Sequence, residues 1–180
     1  MSKLVINIFV ILCFIVSGCV TDVRTIHYFT IKGDPYIIEK KVPQIVILYQ
    51  EGYCGTCTRE LSRYVSEICK GTPVQMFVLV SATQTNIYSL RSNTDALMEH
   101  LDDAGVMDSF QIVYDLYPNE RERVASRYRI KMYPSLLLVS ANGKVEYIPY
   151  AKLFSDDDTL VSSKTLQRIA DFAGVELFLK

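Results

Sequence analysis

The sequence predicts one α/β domain with a central mixed sheet and helices on both faces. The composition is that of an ordinary globular protein, with 49% hydrophobic and 22% charged residues over 180 positions. Apolar strand patterns alternate with amphipathic helix patterns, and Asn142-Gly143 marks a tight hairpin turn. The predicted order βαβαβαββα implies a mostly parallel sheet with an antiparallel edge. A net charge of −1 gives no broad cationic field, so no nucleic-acid partner is expected.

The N-terminus has the pattern of an export signal. Lys3 precedes an apolar run over residues 4–16, which in a helix would rise only ~20 Å, short of the ~30 Å hydrocarbon core. We therefore predict a signal peptide over residues 1–18. The segment Val16-Ser17-Gly18-Cys19 resembles the bacterial lipobox, which implies acylation of Cys19 and a membrane-anchored protein of the cell envelope, facing the periplasm or the cell exterior. The alternative is an ordinary signal peptide in which Cys19 is incidental.

The rest of the chain divides into a tether and a domain. Residues 19–43 are expected to carry the lipidated N-terminus, a tether and one β-rich segment at 27–31, and residues 44–180 to form the domain. Gln44–Tyr49 is a continuous β-branched run, typical of a strand buried on both faces. A helix is predicted after it, because one apolar stripe at helical spacing is formed by Cys57, Leu61, Tyr64, Val65 and Ile68.

The strand and helix patterns then repeat. Strands are predicted at residues 74–80, 110–114, 135–140 and 144–149, and helices after Asn93 or Thr94, at 120–128 and at Ser163–Ala173. In the helix after Asn93 or Thr94, the positions expected to face the core are Leu97, Met98, Leu101 and Ala104. In the C-terminal helix they are Leu166, Ile169, Ala170 and Ala173.

A C-x-x-C motif, Cys54-Gly55-Thr56-Cys57, falls at a predicted strand-to-helix junction. Disulfide exchange requires one thiol that ionises near neutral pH and a second thiol close enough to resolve the mixed disulfide. Cys54 is the expected nucleophile, since unpaired N–H groups at a helix start favour negative charge. Cys57 lies one turn later on the buried stripe and is the expected resolving thiol. Gly55 is expected to leave the backbone beside Cys54 uncovered, so that a substrate chain can approach.

These residues resemble thioredoxin-fold proteins, in particular the membrane-anchored extracytoplasmic thiol-disulfide oxidoreductases of the TlpA and peroxiredoxin-like group. The resemblance covers roughly residues 44–173 and rests on the first domain strand, the Tyr53 to Cys57 turn, the Tyr133-Pro134 pair before a strand, and the Asn-Gly hairpin. It implies an enzyme without a cofactor, a cysteine-containing protein substrate and a redox partner. It further implies that Pro134 is a cis proline packed against the cysteine pair, with Tyr53, Gly55 and Tyr133 lining the substrate path.

The chain departs from the thioredoxin pattern at three places. Thioredoxins usually carry a Trp before the first cysteine, a Pro before the second and a buried acid six residues ahead of the first; here these places hold Tyr53, Thr56 and Leu48. The resolving thiol therefore lacks its usual proton acceptor. Glu60 and Glu51 are candidates for that role, and the alternative is that both are solvated surface carboxylates.

Tyr133 is bulkier than the usual residue before the proline, and we expect its ring to stand beside the sulfur pair and narrow the approach to Cys54. These departures keep open a second function, that of a thioredoxin-like lipoprotein that docks a partner with little or no redox turnover. A metal at the cysteine pair is not expected, because the remaining candidate ligands lie at no familiar zinc spacing. Those candidates are Cys69, interpreted as a packing residue, His27, and His100, interpreted as a helix-surface residue.

Overall fold

The computed structural model describes residues 26–36, 41–81, 87–117, 119–155 and 160–177; the predicted signal peptide and Cys19 lie outside them. Its strands are β1 (Tyr28–Phe29), β2 (Pro35–Tyr36), β3 (Gln44–Tyr49), β4 (Gln75–Val80), β5 (Gln111–Tyr114), β6 (Ser135–Val139) and β7 (Val145–Ile148). Its α-helices are α1 (Gly55–Cys69), α2 (Ile87–Asp103), α3 (Val124–Arg127), α4 (Tyr150–Leu153) and α5 (Ser163–Ala173). None of the helices in these ranges is long and apolar enough to cross a bilayer.

The strands form one seven-stranded sheet in the order β2-β1-β5-β4-β3-β6-β7. Strand β4 pairs in parallel with both β3 and β5. Strand β6 pairs antiparallel with β3 and with β7, and β1 pairs antiparallel with β5 and with β2. The predicted α/β domain with a mixed sheet is confirmed. Antiparallel pairing, expected at one edge, occurs on both sides of the parallel strands because a hairpin extends the sheet on each side.

The N-terminal hairpin β1–β2 belongs to this sheet. Phe29 is the partner of Tyr114 in the β1–β5 ladder, and the Tyr28 side chain is buried. The Tyr28 ring stacks on Phe77 with 5.4 Å between ring centroids. The predicted division at residue 44 therefore leaves out a hairpin that the structure adds to the domain.

The two faces of the sheet are covered differently. Side chains alternate along β3, so that Ile45, Ile47 and Tyr49 pack on one face and Val46 and Leu48 on the other. We call the first the helix face, because it is packed against buried residues of α1, α2 and α5. The second, which we call the aromatic face, is covered by the single-turn helix α3 and by aromatic rings.

Helix α2 begins well before its predicted cap. Its first residue is Ile87, so Asn93 and Thr94 lie inside the helix and the capping prediction is wrong. Thr94 Oγ1 donates to the carbonyl of Leu90, a bond within the helix. Met98, predicted on the inner stripe, is exposed. The predicted helix over 120–128 is instead a three-residue 3-10 turn followed by α3, whereas α5 has its predicted bounds.

A buried carboxyl group lies at the end of β5. Asp115 is only 3% exposed, and its Oδ2 accepts a hydrogen bond from the backbone N–H of Ala125 at 3.4 Å. Its Oδ1 has no hydrogen-bond partner among the described residues. Burial raises the pKa of Asp115 from 3.8 to about 6, against the lowering effect of backbone N–H groups and of the charges on Arg123 and Arg127.

Stability should therefore depend on the protonation of Asp115. Because its pKa is higher in the folded chain than in the unfolded chain, folding favours the protonated form, and the free energy of unfolding should fall as pH rises from about 4 to about 6. Asp115→Asn should remove this dependence and raise stability at neutral pH by up to ~3 kcal/mol. Denaturant unfolding at several pH values in this range measures the free energy of unfolding. The control is Asp102→Asn, a substitution at an exposed aspartate. An unaltered pH slope in Asp115→Asn would contradict the assignment.

Candidate active site

The C-x-x-C motif forms a disulfide at the junction of β3 and α1. Cys54 is bonded to Cys57, with 5.2 Å between their Cα atoms. Cys54 is the N-cap of α1, and its sulfur accepts the backbone N–H of Cys57 at 3.1 Å. Cys54 is half-buried, whereas Cys57 is fully buried on the helix face. One sulfur is therefore within reach of a partner molecule and the other is shielded.

The start of α1 favours a negative charge on Cys54. The helix runs for 15 residues and has no acidic residue in its first turn. The N–H groups of that turn, one of which donates to the Cys54 sulfur, and the positive end of the helix dipole favour negative charge at this sulfur. In a reduced chain this arrangement favours the thiolate, which is the reactive form in disulfide exchange.

Helix α2 holds the loop that leads to Cys54. The buried Asn93 side chain accepts the backbone N–H of Glu51 at 2.8 Å through its Oδ1. Ser92 Oγ donates to both carboxylate oxygens of Glu51, at 3.0 and 3.1 Å. Asn93, predicted as a helix cap, is thus a loop anchor, and the carboxylate of Glu51 is bound to α2.

His100 of α2 covers the backbone of Gly55. A Cβ atom at position 55 would lie 2.6 Å from Cε1 and 2.7 Å from Nε2 of His100, which is closer than atoms can pack. The imidazole also meets the Tyr49 ring edge-on, at 6.2 Å between centroids. The side of Gly55 expected to be open to substrate is therefore occupied by a side chain of the protein itself. His100, expected on the helix surface, is a site residue that the sequence analysis missed.

The ring of Tyr53, the residue before Cys54, contacts the ring of Tyr133. Tyr53 is 43% exposed, and its ring meets that of Tyr133 at 5.1 Å between centroids. Tyr133 is only 4% exposed and packs on the aromatic face, opposite to Cys57. This differs from the expectation that its ring stands beside the sulfur pair, because burial among apolar side chains draws the ring to the other face. The Tyr133–Pro134 peptide bond is cis, as the resemblance implies.

Burial raises the pKa of the Tyr133 hydroxyl, and a hydrogen bond with the side chain of Ser81 opposes that shift. The buried ring is therefore neutral at ordinary pH. Of the two rings, that of Tyr53, immediately before Cys54, is the one exposed to solvent.

Glu60 lies in an ion pair on the surface of α1. Its carboxylate is 2.8 Å from Arg63, whose guanidinium also reaches Glu67 at 3.3 Å. These partly exposed contacts favour the surface-carboxylate interpretation of Glu60 over a role in proton transfer. Cys69, at the end of the same helix, is buried in the helix-face core, and burial raises its pKa to about 11.

Tyr150 contacts the buried sulfur. Its hydroxyl oxygen is 3.4 Å from Cys57 Sγ, and its ring packs on Phe154 at 5.1 Å between centroids. A disulfide sulfur carries no hydrogen, so the phenol is the donor in this contact. The sequence analysis missed Tyr150 as well, since it lies 93 residues from Cys57.

The structure gives no indication of a metal centre at the disulfide. Within the described part of the chain, no group of three or more His, Cys, Asp or Glu side chains is close enough to hold a metal ion. The ring of His27 lies against Tyr117, at 6.1 Å between centroids.

The contact between Gly55 and His100 predicts a coupled pair of substitutions. Gly55→Ala should destabilise the chain by ~1–3 kcal/mol, because the new methyl group displaces the imidazole. In a His100→Ala background the same change should be neutral or stabilising by up to ~1 kcal/mol, since alanine is the better helix former. A double-mutant cycle by denaturant unfolding measures the coupling. Equal effects of Gly55→Ala in both backgrounds would show that the imidazole does not constrain position 55.

Comparison with known proteins identifies the fold. No protein-family model and no curated protein sequence matches the chain. Among solved structures, the chain is similar to a secreted disulfide oxidoreductase of Mycobacterium tuberculosis, with a TM-score of 0.52 and 13% identity over 83% of this chain and 94% of that one. The chain is also similar to the thioredoxin domain of a Bacteroides vulgatus thiol-disulfide oxidoreductase, with a TM-score of 0.52 and 16% identity over 82% of this chain and 92% of that one. For an exposed lipoprotein thioredoxin of Streptococcus pneumoniae, the TM-score is 0.52 and the identity is 18%, over 81% of this chain and 98% of that one. The chain therefore has the thioredoxin-like fold.

Proposed function

We propose that this chain is a thiol-disulfide oxidoreductase that exchanges disulfides with cysteine-containing proteins through its C-G-T-C motif. The observation that carries the proposal is the bond between a half-buried Cys54 at the start of α1 and a buried Cys57 beneath it. This asymmetry supplies the two thiols that exchange requires, one accessible and ionisable, the other protected until a mixed disulfide forms.

In the proposed reaction, the Cys54 thiolate of the reduced chain attacks a substrate disulfide and one substrate sulfur leaves as a thiolate. Cys57 then loses its proton and attacks Cys54, which forms the intramolecular disulfide and releases the second substrate sulfur. The substrate gains two electrons, and a redox partner restores the dithiol by the reverse chemistry. The carbonyl before Pro134 and the exposed ring of Tyr53 are the proposed contacts for the substrate backbone.

We further propose that residues 1–18 are a signal peptide and that acylated Cys19 anchors the protein in a bacterial cell envelope. The supporting observations are the Val16-Ser17-Gly18-Cys19 segment and the similarity in fold to a secreted disulfide oxidoreductase and to an exposed lipoprotein thioredoxin. Three acyl chains on one cysteine would anchor the protein firmly, since each buried CH₂ contributes ~0.8 kcal/mol.

A docking lipoprotein is the second candidate, and two observations favour it. Leu48 is buried and apolar where thioredoxins carry an acid, and Glu60 is held by Arg63. A turnover assay with a protein disulfide substrate and a separate electron donor separates the two functions. Catalytic turnover that requires both Cys54 and Cys57 supports the oxidoreductase, whereas binding of a partner without turnover supports the docking protein.

The two thiols should behave differently in trapping experiments. Cys57→Ser should leave a competent nucleophile without a resolving thiol, so mixed disulfides with partner proteins should accumulate; Cys54→Ser should trap none. A monoalkylating reagent below neutral pH should modify Cys54 of the reduced chain first, because Cys57 is fully buried. Non-reducing electrophoresis and peptide mapping are the measurements.

The matched control is Cys69→Ser, which alters a buried cysteine on the same helix outside the disulfide. It should trap no partner. Equal trapping by Cys54→Ser and Cys57→Ser, or a bridge between Cys54 and Cys69, would overturn the assigned roles.

The anchor gives a separate prediction. Wild-type protein should partition into detergent and incorporate a fatty-acid analogue, whereas Cys19→Ala should be unlabelled and remain an unprocessed precursor. Cys13→Ala, which alters a cysteine inside the proposed signal, should be labelled like the wild type. Labelling that persists in Cys19→Ala would show that the lipid is not attached there.

A further inference from the structure

The resolving thiol poses an electrostatic problem. Cys57 is fully buried, and burial disfavours the charged form of a thiol. The buried acid of thioredoxins is replaced by Leu48, and the Glu60 carboxylate is 2.8 Å from Arg63. An attack by Cys57 on a mixed disulfide nevertheless requires its thiolate. A hydrogen-bond donor to this sulfur would supply part of the missing stabilisation.

Tyr150 is held in position to be that donor. It is the first residue of α4, which Pro149 connects to β7, and its ring packs on Phe154. The last turn of α4 is fixed to the start of α5, because the Lys152 carbonyl accepts the hydroxyl of Thr165 at 2.8 Å. Leu153 is fully buried in the helix-face core. The hydroxyl is thus carried on an element that is packed into the core and hydrogen-bonded to the start of α5.

We propose that the Tyr150 hydroxyl is a catalytic group that stabilises the Cys57 thiolate during resolution of the mixed disulfide. The proposal rests on the oxidoreductase function proposed above, and its basis is the 3.4 Å contact between the phenol oxygen and Cys57 Sγ. Hydrogen bonds to an ionised acceptor are about twice as strong as bonds between neutral groups. The phenol O–H is a hydrogen-bond donor, and a thiolate can accept from it.

The step balances without any further reactant. The Cys57 thiol gives its proton to water, and the electron pair of the resulting thiolate forms the bond to Cys54 Sγ. The bond between Cys54 and the substrate sulfur breaks, and its electron pair leaves with the substrate, which takes up a proton from water. In the disulfide the Tyr150 hydroxyl oxygen is 3.4 Å from Cys57 Sγ, and in the proposed step its O–H donates to this sulfur throughout. Tyr150 is neither oxidised nor deprotonated.

Tyr150→Phe tests the hydroxyl alone, because phenylalanine retains the ring that packs on Phe154. The full chain is reduced, Cys54 is loaded with a chromogenic aromatic thiol, and the release of that thiol by Cys57 is followed by stopped flow. Release should be about tenfold slower in Tyr150→Phe. The initial attack of Cys54 on the aromatic disulfide should keep its wild-type rate, since the hydroxyl contact on which the proposal rests is with Cys57, the sulfur that acts second.

A second readout separates stabilisation of the thiolate from a purely structural role. In a Cys54→Ala background, the ultraviolet absorbance of the Cys57 thiolate is titrated against pH. Adding Tyr150→Phe should move this titration to higher pH. The matched control is Tyr147→Phe on β7, whose ring lies against Tyr128 with 5.9 Å between centroids; it should leave both the release rate and the titration unchanged.

The outcomes distinguish the two proposals. Wild-type release in Tyr150→Phe, or a thiolate titration that does not move, would overturn the role of Tyr150 while wild-type turnover upholds the oxidoreductase. Absence of turnover in the wild-type chain would overturn the oxidoreductase, and the titration would still decide whether the phenol stabilises the buried thiolate.

Discussion

The position of the disulfide depends on the pairing of β3 on both of its edges. This strand pairs in parallel with β4 and antiparallel with β6, and the residues from Ile45 to Tyr49 are all buried. A shift by one residue would turn every one of these side chains to the opposite face. The register is therefore strongly fixed, and with it the point at which the chain leaves the sheet and begins α1 at Cys54.

The surroundings of the two sulfurs come from separate parts of the chain. Helix α2 brings Asn93 to the loop before Cys54 and His100 to the backbone beside it. Helix α4 brings Tyr150 to Cys57, and the segment before β6 brings Tyr133 to the ring of Tyr53. The surroundings of Cys54 and of Cys57 are thus supplied by different elements, so a substitution in one element can change the environment of one sulfur without changing that of the other.

Local patterns in the sequence predict what depends on neighbouring residues. The apolar run of β3, the C-x-x-C at its end and the stripe of α5 were sufficient to place these elements, because strand burial and helix periodicity are properties of adjacent positions. The contacts of His100 and Tyr150 could not be predicted in this way, since each depends on packing between distant elements. Asn93 shows the same limit: the residue type fits a helix cap, but its partner is the backbone of Glu51.

The direction of β1 relates the N-terminus to the disulfide. Strand β1 runs antiparallel to β5, with Phe29 opposite Tyr114 at the carboxyl end of β5, so Ile26 lies at the end of the sheet where β3 leads to Cys54. Cys19 and Ile26 are seven Cα-to-Cα steps apart, and at ~3.5 Å per step the chain between them spans at most ~25 Å. With the proposed acylation at Cys19, the end of the sheet that carries the proposed active site would be tethered to the bilayer by a connection of at most ~25 Å.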